Sequence, residues 1–152
     1  MNRIDLKTLT SMDEDFALWS AEQAALIRAR KFDRVDLENV AEEIESLGRS
    51  DKYQIDHRME VLLAHLLKWN FQPTKRSNSW KATLVEQRTR IARLIDESPS
   101  LRGRPGETLQ GSYVIARYEA IKENELNEAM LPEACPYTIE QILDPGFLPG
   151  TP

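Results

Sequence analysis

From Met59 to Trp69 the chain reads Met-Glu-Val-Leu-Leu-Ala-His-Leu-Leu-Lys-Trp, an apolar coat over most of a helical circumference with His65 set inside it. A helix apolar on nearly every side belongs at the centre of a bundle, where few polar groups are tolerated. Its expected span is about Asp51 to Trp69, with Ile55, Met59, Leu62, Leu63 and Leu66 innermost. Upstream, Phe16, Trp19, Leu26 and Ile27 recur at helical spacing after a cap near Ser11 or Asp13, and Arg28, Arg30 and Lys31 occupy the last turn. A turn over Asp33 to Asp36 leads into a second helix with the stripe Leu37, Val40, Ala41, Ile44 and Leu47, while Glu38 and Glu42 point away. Gly48 reads as the stop of that helix and Ser50 as the cap of the next. One unbroken helix through Gly48 is the competing reading, at about 1 kcal/mol of propensity cost. The break is preferred.

Downstream, Asn70 to Asn78 forms a loop around Pro73, and Ser79 caps a fourth helix with the stripe Trp80, Leu84, Ile91, Leu94 and Ile95. Gly103, Pro105 and Gly106 leave Leu101 to Gly106 irregular. A fifth helix, about Glu107 to Asn124, carries Leu109, Tyr113, Val114, Ala116, Tyr118, Ala120 and Ile121. Leu131 to Tyr137 is extended, and Thr138 with Gln141 forms a capping box for a short helix, Ile139 to Leu143. Phe147 and Leu148 in the tail then pin into a groove. No segment sustains a period of two, so the expected fold is all-α, an antiparallel bundle of about five main helices plus the short C-terminal one. The whole chain, 1–152, reads as one domain, with 1–11 an N-terminal extension and 125–152 an extended strap.

Charge refines this picture. Residues 1–60 carry 9 Lys/Arg against 14 Asp/Glu, residues 73–104 carry 8 against 3, and residues 105–152 carry 2 against 8. The basic strap between acidic segments is expected to neutralise its neighbours inside the bundle. A net charge of −5 weighs against a nucleic-acid binder. No apolar run approaches the roughly 20 residues that span a bilayer, and the first residues lack the apolar core of a secretory signal. Cys135 is alone, which fits a reducing cytoplasm and reads as a small packed residue.

Candidate chemistry is sparse. His57 and His65 diverge on their helix, no Glu-x-x-His, His-Glu-x-x-His or paired cysteine occurs, and neither a metal nor another cofactor is expected. If the third and fourth helices pack antiparallel, His65 falls near Leu84 and Gln87, and Glu43 could approach the same level. Glu43, His65 and Gln87 are therefore a candidate buried polar cluster. Lys68, Lys75, Arg76 and Ser79 surround the start of the fourth helix, whose free N–H groups could hold an anion. Lys75, Arg76, Lys81, Arg88, Arg90 and Arg93 could face nucleic acid, but Trp80 among them lies on the apolar stripe.

The chain resembles a bacterial family catalogued only as a domain of unknown function, number 29 in that series. The resemblance lies in Asp15-Phe16 with Trp19, Glu22-Gln23-Ala24-Ala25-Leu26, and Asp36-Leu-Glu-Asn-Val-Ala-Glu-Glu-Ile-Glu. It continues through Leu47-Gly48-Arg49-Ser50, His65-Leu66-Leu67-Lys68-Trp69, Gln72-Pro73, Ser79-Trp80, Ser98-Pro99-Ser100-Leu101, Cys135-Pro136 and Gln141-Ile142-Leu143-Asp144. It departs where the family usually places a glycine before the phenylalanine of the first loop, since Ala29-Arg30-Lys31 precedes Phe32 here. The resemblance implies helical structure and carries over no activity. The balance of these readings is a non-catalytic module for protein–protein or self association. The alternatives are an enzyme or small-ligand binder at His65/Gln87 or the Lys75–Ser79 loop, and, more weakly, a nucleic-acid contact through residues 73–104.

Overall fold

In the computed structural model, which describes residues 9–124 and 126–150, all regular structure is helical. Most of the expected N-terminal extension (residues 1–8), Glu125 of the strap and the last two residues lie outside the described residues. The helices are α1 (Phe16–Arg28), α2 (Leu37–Phe71), α3 (Asn78–Glu97), α4 (Arg104–Glu107), α5 (Leu109–Asn124) and α6 (Ile139–Leu143). Single 3-10 turns occupy Phe32–Arg34, Pro73–Lys75, Pro99–Leu101 and Glu128–Met130. The chain divides into two compact units, one up to Arg49 and one from Ser50 onward.

In the first unit the cap of α1 is Asp15, whose carboxylate accepts the Leu18 N–H at 3.0 Å, rather than Ser11 or Asp13. Ser11 instead closes the preceding turn by accepting from Glu14 N. Trp19, Gln23 and Leu26 are buried, and two of them converge on Asp36 at the start of α2. Trp19 Nε1 donates to the Asp36 carboxylate at 3.2 Å, and the Asp36 N–H donates to Gln23 Oε1 at 2.7 Å. Helix α1 ends with Lys31 N–H on Leu26 O and Arg30 N–H on Ile27 O, a paired bonding that requires a left-handed residue at Arg30 (φ 59°). A glycine would take that conformation without strain.

The expected break at Gly48 does not occur. α2 runs unbroken from Leu37 to Phe71, so the second and third expected helices are one. Gly48 does not take the left-handed conformation common at helix ends, since Arg30 and Gly150 alone have positive φ among the described residues, and no proline follows it before Pro73. Without a terminating device, the small propensity cost of glycine does not interrupt the hydrogen-bond ladder.

In the second unit, Ile55, Met59, Leu62, Leu63, Leu66 and Leu67 of α2 are fully buried against Leu84 and Ile91 of α3 and Tyr113, Ala116 and Ala120 of α5. α3 lies antiparallel to this part of α2, because Arg58 meets Gln87 while Lys68 meets Trp80. α5 lies parallel to it, because Asp56 bonds Arg104 and Thr108 while Lys68 bonds Glu123. Ser77, not Ser79, caps α3 by accepting from Trp80 N at 3.2 Å. The Thr138/Gln141 capping box and α6 form as expected, and Phe147 and Leu148 pack on the core.

Candidate functional site

Three places could carry chemistry or recognition. The first is a hollow of about 340 Å³ between α2 and α5, lined by His57, Glu60, Val61, Ala64, His65, Ile115, Glu119 and Glu123. His65 Nδ1 lies 2.8 Å from the carbonyl of Val61, one turn back. Donation by Nδ1–H fixes the tautomer and leaves Nε2 as an acceptor. Burial holds His65 below its ordinary value of 6.5, against the pull of the Val61 carbonyl, so it is neutral at pH 7. Lys68 is nearly fully buried and bonds Glu123 at 2.8 Å, with its ammonium 5.5 Å from the Trp80 ring centre. That hydrogen bond lowers the Glu123 pKa. His57, expected to diverge from His65, borders the same hollow; an eight-residue step turns a helix only about 80°, so both can reach one side. Among the described residues no three His, Cys, Asp or Glu side chains gather so as to hold a metal ion.

His65 and Gln87 are not brought together. Gln87 Oε1 accepts from Arg58 Nη1 at 3.2 Å, at a level of α2 about two turns before His65. The assumed register had placed Gln87 opposite His65, whereas the observed one pairs Arg58 with Gln87. Glu43 belongs to the first unit, where it is half-buried.

The second place is a hollow of about 330 Å³ at the start of α3, lined by Trp69, Arg76, Ser77, Asn78 and Lys81. Of the expected anion-binding set only Arg76 lines it, donating through Nε to the Trp69 carbonyl at 2.8 Å. Lys68 is committed to Glu123, Lys75 is exposed, and the Ser79 carbonyl accepts from Thr83 one turn on. With Ser77 as the cap, the first-turn N–H groups of α3 begin at Asn78, and that of Trp80 is taken by the Ser77 hydroxyl.

The third place is the first half of α2. Leu37, Ile44 and Leu47 are 63%, 63% and 71% exposed, although the sequence places them on one apolar stripe. From Ala41 to Gln54 every residue except Glu43 and Asp51 is exposed. Here the pattern was legible and its burial was not.

Arg88 was read as part of a basic face, but it is buried. It donates to the carbonyls of Ile142 at 2.8 Å, Phe147 at 3.0 Å and Gln141 at 3.4 Å. Its place beside Leu84 and Ile91 on the buried side of α3 was the available signal. Cys135 is a free, half-buried thiol, and burial raises its pKa. No helix of the described residues is long and apolar enough to cross a membrane.

Residues 12–148 match the family model described as "Domain of unknown function DUF29". No curated protein and no solved structure matches the chain.

Proposed function

For this chain, which belongs to the DUF29 family, we propose a non-catalytic role as a helical module that associates with another protein or with itself through the first half of α2. The exposed row Leu37, Ile44 and Leu47 carries this reading. With half-buried Val40 it has the 3-4-3 spacing of a coiled-coil seam, which one helix presents to another. Isolated exposed leucines are ordinary, but a seam-spaced row is a recognition surface. A stretch of helix with so little cover is marginal in water, and a partner would supply the missing burial. The test is the native size of the chain in extracts of its own cells. Ile44→Glu/Leu47→Glu should shift it to the monomer with no loss of thermal stability, and an unchanged size would refute the proposal.

A second reading, small-ligand binding, is supported by the His65 hollow. Its polar wall comprises His57, His65 with its acceptor Nε2, and the carboxylates of Glu60, Glu119 and the Lys68-bonded Glu123, beside an apolar patch of Val61, Ala64 and Ile115. Such a wall favours a small amine that brings both donors and positive charge. Titration with a diaminoalkane should move the His65 ring resonances and leave His65→Leu unresponsive; ring resonances that stay fixed to millimolar ligand exclude this reading.

A further inference from the structure

We infer that the ligand of the His65 hollow is an α,ω-diamine whose two ammonium ends bridge Glu60 of α2 and Glu119 of α5; this rests on the small-ligand reading above. A volume of about 340 Å³ suits a small molecule rather than a bare ion. The wall holds three carboxylates and no lysine or arginine. Lys68, bonded to Glu123 at 2.8 Å, neutralises one of the three. Negative charge is left at Glu60 and Glu119, and a diamine brings a positive charge for each. Glu119 forms no ion pair among the described residues. Glu60 has His57 beside it at 3.6 Å, an ion pair only when that ring is protonated.

Spacing selects the class of amine. α5 runs parallel to α2, with Asp56 bonded to Thr108 at one level and Lys68 to Glu123 at another. With a rise of ~1.5 Å per residue, that register sets Glu119 near the level of His65 and roughly 6–10 Å beyond Glu60 along the seam. Val61, Ala64 and Ile115 floor the hollow between these levels. A zigzag of four to six methylenes, with C–C bonds of about 1.5 Å, covers the distance. Its carbons lie on the apolar floor, one ammonium reaches Glu60, and the other is shared by Glu119 and the acceptor Nε2 of His65. A divalent metal ion has the charge without the reach, since no three His, Cys, Asp or Glu side chains gather to hold one among the described residues. A monoamine covers the floor but leaves one carboxylate without a counter-charge.

Isothermal titration of the full chain at pH 7.5 and low salt tests the bridge with four probes: 1,5-diaminopentane, 1,3-diaminopropane, pentylamine and Mg²⁺. The longer diamine should bind at a single site, at least about tenfold more tightly than any of the other three. Glu60→Gln and Glu119→Gln should each weaken it about tenfold, equivalent to ~1.4 kcal/mol, and erase most of its advantage over pentylamine. Helical circular dichroism should be the same in both variants as in the parent. Equal binding of the longer diamine and pentylamine, or a variant that keeps the parent's preference, overturns the bridge; a one-ended amine site then remains, and the small-ligand reading survives. Mg²⁺ bound as tightly as the longer diamine overturns it as well, because charge alone would suffice. No heat from any amine up to millimolar concentration, with the His65 ring resonances unmoved, brings down the small-ligand reading and the inference together.

Discussion

In α2, Leu37, Ile44 and Leu47 stand in water, while Ile55, Met59, Leu62 and Leu66, farther along the same stripe, are fully buried. Both halves repeat apolar residues at helical spacing, and both are helical. The later half lies between α3 and α5, which supply Leu84, Ile91, Tyr113 and Ala116 to cover it. Periodicity thus specifies that a helix has a side to hide, and the rest of the chain decides whether that side is hidden.

The contrast can be broken most forcefully by paired truncations. Leu62→Ala should lower the urea-unfolding free energy by about 3 kcal/mol, through lost burial and the cavity left behind. Ile44→Ala, assayed on the monomer, should stay within about 0.5 kcal/mol. Similar losses at both positions would mean that the first half is covered after all. A smaller effect sharpens the continuity of α2. A Cβ added at Gly48 meets nothing within 4 Å, so Gly48→Ala should raise stability by about 1 kcal/mol. A loss there would show that the helix stops at Gly48. Arg30→Gly removes left-handed strain at the end of α1 and should gain about 0.5 kcal/mol, measured as a rise in thermal midpoint. The gentlest test lies in the buried half. Burial depresses the folded-state pKa of His65, so its share of stability is present above its ordinary 6.5 and is lost as pH falls below that value. The thermal midpoint should therefore drop between pH 7.5 and 5.5 in the parent and drop less in His65→Leu. Equal slopes in the two would remove His65 from the account.

Much of the second unit was readable in the residues. The apolar coat around Leu62–Leu66, the stripe of α3 and the Thr138/Gln141 capping box all state local physics that the fold obeys. Gly48 was misread because a glycine in a helical pattern has two meanings, a tolerated interior position and a stop. Only backbone conformation separates them. The capping choice between Ser77 and Ser79 was ambiguous in the same way, since both serines precede apolar residues at helical spacing. The polar cluster failed for a different reason: the level at which α3 meets α2 is set by the 3-10 turn at Pro73–Lys75 and the cap that follows, and an error there moves Gln87 two turns. The His65 hollow draws three of its eight lining residues from α5, at long range, which no local pattern announces.

Arg88 grips the end of the chain by hydrogen bonds to main-chain carbonyls, with the Asp144 carboxylate as a counter-charge. What these bonds read in residues 141–147 is number and backbone path, while Gln141, Ile142 and Phe147 answer separately to the capping box and the core. One inserted or deleted residue between α6 and Phe147 would carry the carbonyls out of the guanidinium's reach and strand a buried cation. For this grip, spacing after the capping box is thus stricter than spelling.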